Sequence, residues 1–423
     1  MSPDQQALFN EAACALGGGE ISARAASFLN WLDIAKASDL EAPQDFIRLL
    51  LFAQRLERLF ELPVPDAPGI AAFGAEIACG GREASRPIVF GVSGIGVNRH
   101  DAFRSCVAEA IEIQSQFRPK NAPRGTKGIV NSDVRDMTSP HLDWRSQANG
   151  SIDFVESRER LDSVSALPAT LCYRNESLSG PRPRYKIGIG CAAGRSYEDA
   201  RMHAVLEWVE RDSAALWWQG LRKARPISSE AVARTGIADL IGQARLENSA
   251  RRSWFLDISR FPTIPVIAAV SMHKDGTDFA FGLGAGTSTA AALKAAFLEL
   301  CQIELADRIV QEKLKQRSDS ELNEMDRIHL ARRTNVEPGW DILHPKGTPN
   351  ALIEDGDPWE ELVRAGVRLF EMDLAQDQIG VPVVRIWTPD LQPMPAEFQL
   401  SHVSESRQLN IHEVHNHPDL RLI

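Results

Sequence analysis

The chain has 423 residues, of which 43% are hydrophobic, and a formal net charge of −10 at pH 7. This length allows two or three lobes or one large domain, and the acidic balance argues against a dedicated surface for nucleic acids or anionic membranes. The sequence contains no run of about 18 apolar residues, so it predicts no membrane span. The N-terminus has no signal-peptide pattern. The 6 cysteines contain no Cys-x-x-Cys pair, which favours a reducing cytoplasm over disulfides or a thiolate zinc site.

The chain begins with a segment, residues 1–65, that we predict to be a helical N-terminal extension. Residues 46–60 (FIRLLLFAQRLERLF) have apolar positions at helical spacing, and Pro63 and Pro65 close the pattern. An apolar stripe of this kind more often packs against another element or subunit than carries chemistry.

The segment 66–400 alternates strand and helix patterns, which predicts a mixed α/β domain, and the tail 401–423 is polar and weakly structured. The first predicted elements are strands at 70–77 and 87–92, a helix at 101–113, a long loop at 114–165 and a strand at 163–173. A helix within 188–212, helical segments within 226–249 and a strand hairpin at 261–272 and 278–286 follow. The last elements are a helix starting near Thr287, surface helix and loop at 311–350, a helix at 358–374 and a strand at 381–391.

Three of these helices carry a pair of acidic or amide side chains at i and i+3 among apolar residues. A helix that is apolar nearly all round is buried, and buried acids are rarely left without a partner or a cation. Residues three apart on a helix have Cβ atoms about 5–6 Å apart, so each pair can hold one ligand. The pairs and the Gly-x-Gly sequences before them are Glu109/Glu112 after Gly94 and Gly96, Glu207/Glu210 after Gly188 and Gly190, and Glu299/Gln302 after Gly284 and Gly286.

Convergence of the three helices would create a pocket with five carboxylates and one amide. Clustered acids repel each other, and hard oxygen ligands without thiolates indicate Mg²⁺, which normally bridges the phosphates of a nucleotide. Glycine turns near helix N-termini favour anions, and Arg211 and Arg385 would neutralise phosphate charge. The sequence therefore predicts a site for a nucleotide and metal ions.

Common motifs do not explain this site. The segment Gly190–Ser196 is one residue short of a P-loop and has arginine in place of lysine, and no His-Glu-x-x-His or Gly-x-Ser-x-Gly elbow occurs. His412, His415 and His417 in the tail are better explained as an incidental solvated cluster than as metal ligands, and His203 as a hydrogen-bonded helix histidine. One acidic pair alone would more often be a buried salt bridge, so the threefold recurrence is what favours a site.

The segments around these pairs resemble the YcaO family. SCVAEAIEI is similar to the family's Ser-x3-Glu-x2-Glu-Arg motif, EDARMHAVLEWVERD to its second motif, which ends in Glu-x2-Glu-Arg, and FLELCQIEL to its Glu-x2-Gln motif. LPATLCY and PVVRIWTPDL also resemble family segments, so the resemblance covers roughly residues 85–395. It implies an α/β ATP-binding fold unrelated to P-loops, whose acidic helices bind ATP and several Mg²⁺ ions and which uses ATP to activate a peptide backbone amide.

The resemblance also implies roles for individual residues. The expected metal ligands are Glu109, Glu112, Glu207, Glu210 and Gln302. The expected cofactor-binding residues are Ser105, Arg195, Asp199, Arg211, Glu299, Gln302 and Arg385, and the expected catalytic residues are Glu109, Glu207 and Arg211. Three positions depart from the family: Ile113 replaces the usual arginine of the first motif, and Arg195 and Asp199 stand where many members have asparagine and glutamate. A degenerate, non-catalytic copy therefore stays open.

The commonest activity in the family is cyclodehydration. A Cys, Ser or Thr side chain of a precursor peptide attacks the preceding amide carbonyl, and ATP phosphorylates the oxygen so that it leaves as phosphate and an azoline ring remains. Positioning of reactants and metals supplies the rest of the acceleration. Many azoline-forming members end in a proline-rich tail, whereas only Pro418 is present here. Thioamide or amidine formation therefore remains an alternative.

No second catalytic domain is evident, so the resemblance implies the stand-alone ATP-using subunit of a cytoplasmic, multi-protein synthetase. Its partners would be the precursor peptide, a peptide-binding subunit resembling ubiquitin-activating enzymes and, often, a flavin-dependent dehydrogenase that oxidises azolines to azoles. Neither nucleic acid nor a membrane is an expected partner.

Overall fold

The structure is a computed structural model, and it describes residues 1–34, 38, 40–80, 87–119, 126–128, 132–146, 152–159, 163–174, 180–246, 250–316, 322–336, 341–345 and 356–404. The chain divides into two units, each described by itself below. Unit 1 comprises Met1–Pro63, Ile70–Val205 and Arg368–Pro389, and unit 2 comprises Val64–Gly69, Leu206–Val367 and Asp390–Ile423. The domain boundaries expected near residues 65 and 400 remain predictions.

Unit 1 opens with three helices, α1 (Pro3–Leu16), α2 (Ala23–Trp31) and α3 (Pro43–Ala53). Ser2 and Gln5 form a capping box at the start of α1. The prediction of a helix across 46–60 is wrong beyond Ala53, because the next residues form the edge strand β1 (Arg58–Leu62). Pairing with a neighbouring strand overrides the helical spacing of the apolar residues there.

A three-stranded antiparallel sheet follows, with β1, β2 (Ala71–Cys79) and β3 (Ile88–Gly96) in that order. Helix α4 (Arg99–Ser115) has a buried face and shares one apolar core with the sheet and with α1 and α3. Phe103 of α4 lies at its centre, with ring centroids 5.5 Å from Phe46, 6.1 Å from Phe73 and 6.2 Å from Phe9. This packing fixes the position of α4 and of the acids it carries.

The second sheet of unit 1 is also antiparallel. Its strands are, in spatial order, β4 (Thr126–Gly128), β6 (Ile152–Glu159), β14 (Phe370–Asp373), β15 (Val383–Trp387) and β9 (Cys191–Ala193), with β7 (Ser163–Pro168) paired to β6. A short helix, α5 (Ser132–Thr138), and the strand pair β5 (Leu142–Asp143) and β8 (Arg182–Pro183) accompany it. The expected long loop at 114–165 is therefore wrong where β5, α5 and β6 form.

Unit 2 is built on one antiparallel sheet, with strands in the order β10 (Arg225–Pro226), β11 (Arg251–Asp257), β12 (Val266–His273) and β13 (Ala280–Ala285). Its helices are the second half of α6 (Tyr197–Trp218), within which the unit boundary falls, then α7 (Ser229–Arg234), α8 (Ile237–Arg245), α9 (Thr289–Gln316), α10 (Glu324–Asn335) and α11 (Pro358–Arg364). The predicted hairpin is confirmed as β12 and β13, and the mixed α/β fold is confirmed as a whole.

One predicted helix of this region, 358–374, is wrong beyond Arg364. Gly366 adopts a left-handed φ of 77° just after the helix, which ends it, and Phe370–Asp373 continue as strand β14.

Across the ranges given above, no helix is both long and apolar enough to cross a membrane.

Candidate functional site

One short pattern stands before each of the three acidic helices. A glycine is followed two residues later by the residue that caps the helix and 13 residues later by the first residue of the acidic pair. Each cap side chain accepts a hydrogen bond from a backbone N–H of the first turn. The three series are Gly96, Asn98 and Glu109; Gly194, Ser196 and Glu207; and Gly286, Ser288 and Glu299, with cap distances of 2.8, 3.1 and 3.2 Å.

These glycines allow a close approach between backbone and helix. A Cβ atom added at Gly96, Gly194 or Gly286 would lie 2.4, 2.3 or 2.7 Å from a backbone nitrogen in the first or second turn of the helix, so no other residue fits without moving the helix. The structure gives this role before α6 to Gly194, not to the expected Gly188 and Gly190, which precede β9. The expected free N–H groups for an anion are also partly used, since each first turn is already bonded to its cap.

In unit 1, backbone N–H groups orient both acids of α4. Glu109 Oε2 accepts from the N–H of Ser93 at 3.0 Å, and Glu112 Oε1 accepts from the N–H of Ala193 at 2.9 Å. Burial raises the pKa of Glu109 to about 7, although the Ser93 N–H and the charge of Lys186 oppose the shift. The hydrogen bond and the nearby positive charge therefore do not offset the cost of burying the ionised carboxylate of Glu109.

In unit 2, the acids of α6 and α9 are oriented in the same way. Glu299 Oε2 accepts from the N–H of Leu283 at 2.8 Å, and Glu210 Oε2 accepts from the N–H of Ala285 at 3.2 Å. Glu299 and Glu109 each bind the strand residue 16 positions earlier, which shows that the two strand–helix units share one geometry.

Three carboxylates of unit 2 share one guanidinium group. Arg211 Nη2 lies 3.7 Å from Glu207 Oε1 and 3.6 Å from Glu210 Oε1. Burial raises the pKa of Glu210 to about 8; Arg211 opposes the shift, and Glu299 and Glu207 increase it. Burial also raises the pKa of Glu299, with Arg211 opposing. These acids repel one another in a setting that a further cation would stabilise.

Arg211 itself is incompletely bonded. Burial alone would lower the pKa of Arg211, but Glu210, Glu207 and Glu299 outweigh burial and raise it. Its Nε and Nη1 atoms have no hydrogen-bond partner in the part of the chain that the structure describes. A permanently charged group with two open donors beside a cluster of acids is suited to an anion that arrives together with a metal ion.

The other predicted residues have varied surroundings. Ser105 is exposed on α4, and Gln302 is half-buried on α9. The side chain of Arg195 bonds Glu41, while its backbone N–H donates to Asp199 at 2.9 Å. These contacts tie Arg195 and Asp199 to the start of α6, not to the acidic pairs.

Of the histidine candidates, only His203 lies within the described residues. His203 has a side chain that is 56% exposed and lies 3.8 Å from Asp199. The three tail histidines and Pro418 lie outside the described residues.

Arg385 on β15 is fully buried, and its Nη1 donates to the carbonyl oxygens of Ile187 and Ile189.

No three His, Cys, Asp or Glu side chains within the described ranges form a preformed metal cage. Mg²⁺ rarely needs one, because it usually takes one or two carboxylates and completes its shell with water and phosphate oxygens. Paired acids such as Glu207 and Glu210 match that requirement, and the donor set contains only oxygens and one amide.

Comparison with known protein families gives one match, over residues 160–392, to the model described as YcaO cyclodehydratase, ATP- and Mg²⁺-binding. The match covers more than half of the chain. The chain belongs to the YcaO family. ATP and Mg²⁺ are accordingly its cofactors, and the resemblance inferred from the sequence motifs is confirmed.

Solved structures share the fold of this YcaO chain. A heterocyclase in complex with substrate and cofactor has a TM-score of 0.64 at 19% identity over 86% of this chain and 55% of that chain. YcaO from Methanopyrus kandleri bound with AMPPCP and Mg²⁺ has a TM-score of 0.55 at 19% identity over 89% and 93%. The E. coli microcin synthetase McbBCD complex with pro-MccB17 bound has a TM-score of 0.57 at 15% identity over 79% and 88%.

These identities show a common fold only, and the chain spans about half the length of the first of these structures, 55%. The comparison with curated proteins found no match. The residues of this YcaO chain nevertheless fit its cofactors, because Glu207 and Glu210 share one guanidinium, and Arg211 keeps two open donors for an anion.

Proposed function

We propose that this YcaO-family protein is the ATP-dependent cyclodehydratase subunit of a peptide-modifying synthetase. It activates backbone amides of a ribosomal precursor peptide by O-phosphorylation and forms thiazoline or oxazoline rings from Cys, Ser or Thr. The observation that carries the proposal is the group of three carboxylates, Glu207, Glu210 and Glu299, around the single guanidinium of Arg211.

The proposed metal ligands are Glu109, Glu112, Glu207, Glu210 and Gln302. The N–H bonds that Glu109, Glu112 and Glu210 accept from strands fix their side-chain rotamers, and a carboxylate bonded through one oxygen can bind a metal ion through the other. Holding ligands in place before the metal arrives lowers the cost of binding.

Arg211 is the proposed phosphate-contacting residue, and Glu109 and Glu207 complete the catalytic set. ATP supplies the phosphoryl group that turns the amide oxygen into a leaving phosphate. The side chain of Cys, Ser or Thr adds to the amide carbon, and departure of phosphate leaves a ring whose net change is the loss of one water. Arg211 would hold the charge of the transferring phosphoryl group, which needs positioning and electrostatic stabilisation more than covalent help.

The partners that we propose are the precursor peptide, a peptide-binding subunit resembling ubiquitin-activating enzymes and a flavin-dependent azoline dehydrogenase. One observation supports separate partners: another structure with this fold is the microcin synthetase complex McbBCD. A cytoplasmic location is part of the same proposal.

The test is mass spectrometry of the precursor peptide after incubation with the protein, its partner subunits, ATP and Mg²⁺. We expect the loss of one water per ring, and no change when Glu207→Gln replaces the wild type. A gain in mass from sulfur replacing oxygen would instead show thioamide formation, and an unmodified peptide in the complete mixture would contradict the proposal.

A second candidate is a non-catalytic YcaO scaffold, which the departures Ile113, Arg195 and Asp199 favour. Arg195 and Asp199 are engaged with each other and with Glu41, not with the acids of α6. Calorimetry separates the two candidates, since a scaffold would not bind ATP in the presence of Mg²⁺.

A further inference from the structure

The outer strand β3 of the three-stranded sheet in unit 1 has one free edge. Among the described residues, β3 pairs with β2 alone. Ile88 and Val89 are 48% and 56% exposed, and Gly91 is exposed as well. The stretch from Ile88 to Gly91 contains neither a charge nor a proline, the devices that usually keep a strand edge from pairing with another chain. Its unpaired backbone groups are therefore available to a partner.

Two hydrogen bonds show which backbone groups of β3 face outwards. The N–H of Ser93 donates to Glu109 Oε2 on helix α4 at 3.0 Å, which indicates that this group faces away from β2. On β2, the residue opposite Gly91 is Glu76, and its carbonyl oxygen accepts from the N–H just before β1 at 2.8 Å, on the side away from β3. Backbone groups alternate between the two edges of a strand, so the N–H and C=O groups of Val89 and Gly91 face the free edge.

The free edge ends at a proposed metal ligand. The N–H of Ser93 is already bonded to Glu109, so a strand that pairs with Val89 and Gly91 cannot continue its ladder through Ser93. Residues 88–91 span about 13 Å at about 3.3 Å per residue. A short strand bound along them therefore ends beside the carboxylate of Glu109, where ATP and Mg²⁺ act in the proposed function.

The size and chemistry of this edge favour an extended peptide over a second copy of the chain. A stable interface between folded proteins buries about 800 Å² on each partner, more than one short strand edge offers. A peptide added to a strand edge binds through its backbone and tolerates different side chains, as a substrate that reacts at Cys, Ser or Thr requires. Nothing lies within 4 Å of the Cβ position of Gly91, which leaves room for the side chains of an added strand.

We propose that the free edge of β3 binds the precursor peptide as an added strand, through the backbone groups of Val89 and Gly91, and holds the amide to be activated beside Glu109. The reacting amide lies just beyond the last paired residue, because an amide whose C=O is bonded within the ladder is not free to be phosphorylated. The inference rests on the proposed function and states where its substrate binds.

The test removes one outward N–H group at a time with proline, which a strand tolerates where its N–H faces solvent. Val89→Pro and Gly91→Pro are compared with the matched controls Val89→Thr and Gly91→Ala, which keep the N–H. The probe is a fluorescein-labelled synthetic peptide of alternating threonine and valine, with a central serine and a lysine at each end. Fluorescence anisotropy measures its affinity for the full-length protein. We expect each proline variant to bind it about fivefold or more weakly, the effect of one lost hydrogen bond, and each control to bind it like the wild type.

A modified probe tests the same contact without changing the protein. The same peptide with N-methyl groups on every central residue has no N–H to offer to a strand edge, and we expect it not to bind the wild type. This measurement decides the question if circular dichroism shows that a proline variant is unfolded.

Three results overturn the proposal. One is absence of peptide binding to the wild type. Another is equal affinity in the wild type and the folded proline variants, or for the methylated and unmethylated peptides. The third is a wild-type dimer in sedimentation velocity that Val89→Pro dissociates and Val89→Thr does not, because a second copy of the chain would then occupy the edge.

Failure of this inference is distinguishable from failure of the proposed function. In the complete mixture of protein, partner subunits, ATP and Mg²⁺, Val89→Pro should raise the KM for the precursor peptide and leave the affinity for AMPPCP unchanged. An unmodified precursor, with binding of the synthetic peptide still weakened by Val89→Pro, would contradict the proposed function and leave the edge as a peptide-binding surface. Ring formation with the same KM in Val89→Pro and the wild type would contradict this inference alone.

Discussion

Two acids on helix α9, Glu304 and Glu299, have opposite surroundings within the same unit. Glu304 is 1% exposed and pairs with two guanidinium groups: Arg245 Nη2 donates to its Oε1 at 2.8 Å, and Arg251 Nε lies 2.9 Å from the same oxygen. Ser271 Oγ donates to it as well, at 2.5 Å. Glu299 instead shares the guanidinium of Arg211 with two other carboxylates, and the charge of Arg332 acts on it more weakly.

The difference separates a structural ion pair from the candidate binding site. A buried carboxylate with more than enough donors has no use for an added cation, and its role is to hold elements together. A buried carboxylate whose pKa is raised by burial and by like charges is destabilised until a cation arrives. Counting donors per carboxylate therefore predicts which acids of α9 should affect folding and which should affect ligand binding.

The largest effect should come from Glu304→Ala, which leaves Arg245 and Arg251 buried without their carboxylate. Breaking a buried ion pair on one side costs about 3–5 kcal/mol of folding free energy. Urea unfolding should show this loss, and Mg²⁺ with ATP should not compensate specifically for it. An unchanged free energy of unfolding would contradict the assignment of Glu304 as a structural acid.

Glu207→Gln should have the opposite profile. Because Glu207 is a proposed metal ligand, removing its charge should lower ATP turnover about 100-fold or more, while the free energy of unfolding stays the same or rises because repulsion among the acids falls. Glu198→Gln, an exposed position on the same helix α6, is the matched control and should keep full turnover. Equal turnover in all three proteins would remove Glu207 from the site.

A glycine in the strand before α9, Gly284, allows a test of the position of this helix, which carries both Glu299 and Glu304. A Cβ atom at Gly284 would lie 2.4 Å from the carbonyl oxygen of Ala292 and from the backbone nitrogen of Ala296, so Gly284→Ala should displace α9 and lower stability by about 1–3 kcal/mol. Because α9 carries Glu299, nucleotide affinity should fall as well. Gly242→Ala is the control, since nothing lies near its Cβ position on helix α8, and it should leave stability unchanged or raise it.

The smallest effect concerns pH. The pKa of Glu210 is raised from 4.5 to about 8 in the folded protein, so the contribution of this group to stability is fully present below the unfolded value and is lost as the pH rises through the folded one. Without metal or nucleotide, the melting temperature should therefore fall as the pH rises from 5 towards 8. Glu210→Gln should flatten this slope, as should Mg²⁺ with ATP. A slope that is the same in the variant would show that other groups cause it.

Much of the fold could be predicted from the sequence where local pattern and tertiary packing agree. The hairpin of β12 and β13 and the long helix α9 are examples, because turn residues and apolar spacing indicate the same elements. The errors at 46–60 and 358–374 arise where helical spacing continues into residues that pair with a neighbouring strand. Strand pairing of this kind depends on partners far away in the chain.

The acidic pairs of the candidate site could be found because their spacing on a helix is visible in the sequence. The constant interval of 13 residues from Gly96, Gly194 and Gly286 to the first residue of each pair was also visible, and it would have selected Gly194 over Gly190. The strand N–H partners could not be found, since Ala193 and Glu112 lie 81 residues apart. The shortage of positive charge for the carboxylates around Arg211 depends on burial, which the sequence does not show.

The most direct measurement is an anomalous diffraction map from crystals grown with AMPPCP and Mn²⁺ in place of Mg²⁺. The account predicts metal peaks within coordination distance of the carboxylate oxygens of Glu207 and Glu210, with Arg211 turned towards a phosphate oxygen. Metal peaks held only by other residues, with Glu207, Glu210 and Glu299 still sharing Arg211 alone, would contradict it.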